Sequence, residues 1–346
     1  MSEILIADGF GNLSDGNHVA GVSREVLGEQ WVSVFQGFAV TDRGDGRKWW
    51  APSQFNATAL VSKDFADRTL IGISGVVDFS LAKTRYLLFL YNTGGTLVGT
   101  LGINASGYLE YGGDEFFAGV VATCTTAIPI NTPTHFEVIV TVADGVGGSV
   151  AFYLDGGLVN TVSGIDTALG TGNAVNRVNL DPSGFGAYAC GVDIKLSDLV
   201  VHKATGGALG VTGVYYLPAD ADGADTDFTP SAGDNFECVD EIGPDDDTTY
   251  NESDGTAGHR DSLENGGIAG VTVISVGALV RAEKVGAGAA TLLLGAIDGA
   301  SEDQSAAKVL TVAYGTFLEW FDDAPAGGSW NVAKVSAGEV SYEVGA

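Results

Sequence analysis

The stretch His135–Val162 reads HFEVIVTVADGVGGSVAFYLDGGLVNTV, and its spacing decides the fold. Phe136, Val138, Val140 and Val142 recur at every second position, which puts them on one face of a strand. A short turn follows, then Ser149–Leu154, then Asp155-Gly156-Gly157, then Leu158–Val162. Two apolar runs joined through Asp-Gly predict a β-hairpin, because the tight turn needs residues that tolerate positive φ. Working outward, Leu70–Phe79, Arg85–Tyr91, Leu97–Ile103 and Tyr108–Tyr111 read as strands, and Asp193–His202 (DIKLSDLVVH) as a closing strand. No long amphipathic helix interrupts them. Turn signals arrive about every 10 residues, the rhythm of a sandwich or jelly roll.

The whole chain has 346 residues and 51 glycines with no fixed period, so its glycines serve turns rather than a collagen repeat. That length predicts two domains. The small, Gly-rich run at 204–214 (ATGGALGVTGV) marks the expected boundary. Residues 1–205 are then one jelly-roll domain, and residues 206–346 a second β-sandwich-like domain with an acidic loop region at its N-terminal side. In the second half, Val271–Val280, Ala290–Ile297, Val309–Tyr314 and Val340–Val344 read as strands. Ser329–Val335 reads as one short helix with Ser329 as its N-cap. The fold class is all-β, two sandwich or jelly-roll domains in tandem.

Charge narrows the partners. Sixteen Lys and Arg face 44 Asp and Glu, a net charge of −28. A phosphate backbone or an anionic membrane surface would be repelled, so nucleic acid is not an expected partner. No apolar run is long enough for a membrane span, and MSEILIADGF lacks the basic and apolar regions of a signal peptide. Synthesis in a cytoplasm is expected. Cys124, Cys190 and Cys238 are odd in number and widely spaced, so they predict buried thiols rather than a disulfide framework.

Thirteen acidic residues and no Lys or Arg lie between Asp220 and Asp254. Asp220, Asp222, Asp225 and Asp227 surround Gly223 at the kind of spacing with which oxygen-rich loops hold Ca²⁺, although the run lacks the spacing of an EF-hand. They are the candidate Ca²⁺ ligands, the alternative being a solvated acidic linker. Asp245-Asp246-Asp247 is a weaker candidate of the same kind. No other cofactor is expected. Trp49-Trp50, beside Arg47 and Lys48, is a candidate glycan platform, because sugars stack on aromatic faces; packing is the alternative. A glycosidase would need paired carboxylates at catalytic separation, and neither Glu110/Asp114/Glu115 nor Glu237/Asp240/Glu241 has the alternating spacing. His18, His135, His202 and His259 stand in no metal-type spacing. Taken singly, each reads as a surface or packed residue.

The first half resembles the concanavalin A-like jelly roll in its laminin-G-type form. The resemblance rests on the His135–Val162 stretch with Tyr153, Asp155 and Gly156, on the closing DIKLSDLVVH, and on the DGF near residue 8. The second half resembles a module of tailed-phage virion proteins, through LPADADG, DFTPSAGDNFECVDE, DDTTY and the terminal DDAPAGGSWNVAKVSAGEV, where Trp330 and Val332 match and Ala324 interrupts the Asp-Pro step. The resemblance implies a non-enzymatic structural component of a virion, a capsid decoration, head spike or tail-associated protein. Its implied partners are other virion proteins, further copies of itself and a host-surface glycan, and its implied place is the particle. A lectin-like carbohydrate-binding module outside any virion is the alternative.

Overall fold

A computed structural model describes residues 3–8, 16–18, 31–34, 38–43, 47–52, 60–62, 64–113, 119–168, 172–180, 194–241 and 246–346. Two compact units divide the chain, the first ending at Tyr215 and the second running from Tyr216 to Ala346.

The first unit is built from two antiparallel sheets. The larger runs, in spatial order, Gly157–Ile165, Gly148–Leu154, Thr134–Thr141, Leu70–Phe79, Ile194–Lys203, Lys48–Pro52, Phe38–Asp42 and Gly16–His18, with Glu3–Asp8 also paired to Ile194–Lys203. The smaller runs Val120–Ala127, Tyr108–Gly112, Leu97–Ile103, Arg85–Tyr91, Arg177–Leu180, Leu60–Ser62 and Trp31–Val34. The period-two reading holds in detail. Val138 lies between Ile73 and Phe152 in register, and Val140 between Ile71 and Val150, all six fully buried. Each such side chain contributes about 1.5–3 kcal/mol by leaving water. Asp155 (φ 47°) and Gly156 (φ 80°) make the left-handed pair that the hairpin turn requires. Asn160 accepts from the Thr125 N–H at 3.0 Å and donates to the Thr123 carbonyl at 3.1 Å, so it ties the edge strand of one sheet to the edge strand of the other.

The Gly-rich run belongs to the first unit, about 10 residues beyond the expected boundary. The reason is hydrogen bonding: its backbone is held on the larger sheet by side chains of that sheet, as described below.

The second unit has a six-stranded antiparallel sheet, Ala219–Thr226, Arg260–Asn265, Glu339–Val344, Thr291–Asp298 and Ser301–Gln304, with Lys308–Val309 also paired to Thr291–Asp298. A hairpin of Val276–Ala282 and Gly315–Phe321 accompanies it. The core gathers Leu263, Leu292, Leu294, Tyr342, Phe321 and Trp330, whose indole N–H donates to the Phe321 carbonyl at 2.7 Å. Three expectations need correction here. The acidic run is a strand, Ala219–Thr226, in which Asp222 and Asp225 find donors away from their own chain neighbours. The expected strand Val309–Tyr314 is only Lys308–Val309, and pairing resumes at Gly315. The helix, α1 (Val332–Ala337), is capped by Asn331, whose side-chain oxygen accepts from the Lys334 N–H at 3.0 Å; Ser329 lies before the cap.

Candidate functional site

The Thr134–Thr141 strand sends Phe136, Val138 and Val140 to the core, so His135 and Glu137 emerge on the opposite face. In register with them on that face stand Ser74, beside Glu137, and Gly72 with His202. Such a face is ordinarily wet. Here His135 is 4% exposed, and Glu137, His202, Ser74 and Asp198 are 0% exposed.

Residues 209–215 (LGVTGVY) cover it. Leu209 and Gly210 donate their N–H groups to the two oxygens of Glu137, at 2.9 and 3.1 Å. The Thr212 N–H donates to His135 Nε2 at 3.1 Å, and Thr212 Oγ1 lies 3.1 Å from both His135 Nε2 and Ser74 Oγ. The Val214 N–H donates to Asp198 Oδ1 at 2.9 Å. The donors at 210, 212 and 214 keep the alternation of an extended chain, but their acceptors are side chains rather than a neighbouring backbone.

Glu137 Oε1 is 3.0 Å from His202 Nε2, so this nitrogen carries the proton that the carboxylate accepts. The His202 ring lies over Gly72, where any Cβ would collide with it. His135 has the opposite tautomer. Its Nε2 receives the Thr212 N–H, which places the ring proton on Nδ1. Both Nδ1 atoms, of His135 and of His202, are buried with no hydrogen-bond partner. Burial pushes the His135 imidazole below its ordinary range; Glu137 and Asp155 pull it up, and Arg43 and Arg47 push it further down.

Asp198 sits at a break in register between Ser197 and Val200, with φ at 54°. The left-handed turn aims its carboxylate at two guanidinium groups: Arg43 and Arg47 donate to Oδ2 at 2.7 and 3.0 Å. Burial raises the Asp198 carboxyl above its ordinary range, against the lowering effect of the Val214 N–H and of Arg47 and Arg43. Arg47 also lies 5.3 Å from the ring centre of Tyr215, which is 40% exposed. The face therefore combines a neutral imidazole, a Glu–His pair and two guanidinium groups in an otherwise acidic chain.

The residues singled out in the sequence are placed elsewhere or differently. Trp49 and Trp50 are 7% and 1% exposed, so neither ring offers an open face for stacking; the Arg43 guanidinium lies 5.0 Å from the centre of the Trp49 ring. Asp220 lines a shallow groove with Glu264, Asn265 and Ser336. Asp222 accepts the Phe236 N–H at 2.7 Å, Asp225 pairs with Arg260 at 2.6 Å, and Asp227 accepts the Arg260 N–H at 3.1 Å. Asp222, Asp225 and Asp227 are thus each engaged by a donor from elsewhere in the unit. Among the described residues, no three His, Cys, Asp or Glu side chains converge as metal ligands do. Asp246 pairs with Arg281, and Asp247 accepts from the Tyr314 hydroxyl at 3.0 Å; Asp245 lies outside the described residues, as do Asp114, Glu115 and Cys190. Glu110 accepts from the Asn104 amide at 2.7 Å, and His259 faces Asp254 at 3.1 Å.

His135, Glu137, Asp198 and His202 were not identified as a group from sequence. The signal was present in the opening stretch: His135 and Glu137 alternate with Phe136 and Val138, so a strand with one apolar face necessarily gathers them on the other.

No family model matches the chain, and no curated protein matches it. Solved structures do. Alginate lyase Aly36B bound to an alginate trisaccharide shares 16% identity, with a TM-score of 0.40 over 57% of this chain and 97% of that one. The endo-β-1,4-glucuronan lyase of the fungus Trichoderma reesei shares 11%, with a TM-score of 0.37 over 51% and 87%. The marine alginate lyase from Aplysia kurodai shares 9%, with a TM-score of 0.37 over 47% and 86%. At these values the likeness concerns a jelly-roll-like sandwich and no more. It corrects the expectation of a non-enzymatic virion component with its lectin-like alternative: these three solved structures are polysaccharide lyases. The chain is an all-β sandwich protein.

Proposed function

We propose that the first unit is a carbohydrate-processing enzyme, and that its site is the outer face of the larger sheet around His135. The reaction is β-elimination on a uronate-containing chain. The observation that supports it is the composition of that face: a neutral imidazole next to two guanidinium groups. A uronate carboxylate must be neutralised before the proton on the adjacent carbon becomes acidic, which is the work of Arg43 and Arg47. The imidazole takes that proton through Nε2. The electron pair forms the ring double bond as the neighbouring glycosidic C–O bond breaks, and the departing oxygen takes a proton from water. Glu137 and His202 act as positioning residues.

The local charge supports an anionic sugar. Arg43, Arg47 and Lys48 supply three of the chain's sixteen basic residues within six positions of sequence. A hydrolase reading is less favoured, because Glu137 accepts through both oxygens, from an imidazole and two N–H groups, leaving it no oxygen from which to donate as a general acid.

The test is incubation of the full chain with uronate-containing and neutral polysaccharides. The ultraviolet absorbance of unsaturated uronate is followed, and products are identified by mass spectrometry. His135→Ala is expected to lower the rate roughly 100-fold or more. Products lacking the double bond, or no cleavage of any uronate polymer, would overturn the reading.

A further inference from the structure

The face just described is closed. What closes it is one extended segment, attached through acceptors that differ in how they respond to acid. Asp198 is bonded to two guanidinium groups, and its carboxyl protonates more easily in place than in water. Glu137 takes two strap N–H groups and the His202 ring. His135 is the sensitive attachment. Its Nε2 accepts the Thr212 N–H, and an imidazole protonated at that nitrogen has nothing left with which to accept.

We propose that residues 209–215 form a strap over this face that is released when His135 takes up a proton. Protonation turns the acceptor into a donor and sets two N–H groups against each other at 3.1 Å. The charged groups facing His135 are Glu137 on its own strand, Asp155 at the hairpin turn after Gly148–Leu154, and Arg43 and Arg47 beside the strap. Burial of the ring outweighs the two carboxylates, so the closed state disfavours the imidazolium. The closed state therefore binds fewer protons than the open one. Its stability is fully present above the ordinary imidazole value of 6.5 and is lost as pH falls toward the lower value of the closed state. Asp198, whose carboxyl is shifted up, works in the opposite direction and does not drive release. At the middle of the strap Gly210 has a φ of 81° and Val211 is 66% exposed, so little side-chain packing holds this part beyond the bonds just named.

The role of the strap as a lid rests on reading this face as the catalytic site; its release does not. Once the strap is away, His135 is hydrated again and returns toward its ordinary pKa. Mildly acidic solution then holds open molecules in which part of the imidazole is neutral and able to take a proton. Cleavage should accordingly peak below neutrality and fall again as the base becomes charged.

Hydrogen exchange of the full chain, read by mass spectrometry and corrected for intrinsic rates, tests the release at about pH 7.5 and about pH 5. The protection of the Leu209, Gly210, Thr212 and Val214 amides is expected to fall by up to about tenfold per pH unit below 6.5. Core amides of Leu70–Phe79 should keep theirs. His135→Gln, which can accept but cannot titrate, should abolish the acid response. Thr212→Pro, which lacks the donor, should open the strap at both pH values. Unchanged strap protection in acid, an equal acid response in His135→Gln, or loss of core protection in step with the strap would each overturn the proposal. Release without uronate cleavage would leave the strap standing and remove its role as a lid. Cleavage indifferent to Thr212→Pro would leave the enzyme standing and remove the strap from it.

Discussion

Each unit holds a stretch of irregular chain onto a sheet through buried polar side chains, and the two attachments differ in one respect. In the second unit, Asp261 accepts the Phe228 N–H at 2.9 Å through one oxygen. Through the other it accepts the Asn235 amide at 2.6 Å and the Tyr342 hydroxyl at 2.9 Å. Its neighbours are neutral donors, and both of its oxygens are in use. In the first unit the strap rests on a His, a Glu and an Asp, and two buried imidazole nitrogens have no partner. Buried polar groups in a scaffold are nearly always satisfied, because an orphaned one costs about 1–3 kcal/mol. The Asp261 carboxylate, with both oxygens in use, reads as construction, although Asn251 beside it leaves its own Oδ1 without a partner. The first unit differs in that one of its attachments is an imidazole, a group that changes from acceptor to donor on taking up a proton.

The strongest way to break this comparison is Asp261→Ala. It removes the shared acceptor of a buried N–H, an amide and a hydroxyl together, and should cost the second unit about 3 kcal/mol or more in urea unfolding. A loss below about 1 kcal/mol would mean that the satisfied network is not a keystone. Next is Gly72→Val, which drives the His202 ring off its seat and away from Glu137. Overpacking with a lost hydrogen bond should cost about 2–3 kcal/mol, seen as a lower melting temperature with little change to the second unit. The smallest is Thr212→Val. It keeps the backbone donor and removes only the hydroxyl between His135 and Ser74, so about 1 kcal/mol is expected, together with increased strap exchange at neutral pH. An effect of Thr212→Val as large as that of Gly72→Val would sharpen the comparison differently, placing the hydroxyl rather than the N–H at the centre of the latch.

The parts of this fold legible in sequence were those decided locally. Alternation set the strands of the first unit, and Asp155-Gly156 set its hairpin, because those signals act over a few residues. The acidic strand Ala219–Thr226 was hidden for the converse reason. Asp is depleted in strands, and the donors that make it tolerable, at Phe236 and Arg260, are distant in sequence. The strap was hidden in the same way. A Gly-rich run reads as a linker, and nothing in LGVTGVY announces that Glu137, His135 and Asp198 will receive its N–H groups. The polar face itself was half legible: His135 and Glu137 had to share one side of their strand, but only the folded chain shows that side to be covered.

The Asn160 stitch has a consequence for behaviour at high concentration. The Thr123 carbonyl and the Thr125 N–H belong to an edge strand, and unpaired groups on such an edge template the addition of foreign strands. By occupying both, Asn160 leaves that border without two of the contacts on which a fibre-like stack would start, and it does so from within the same unit. One amide side chain thus serves as a guard against self-assembly, a task separate from any chemistry on the sheet.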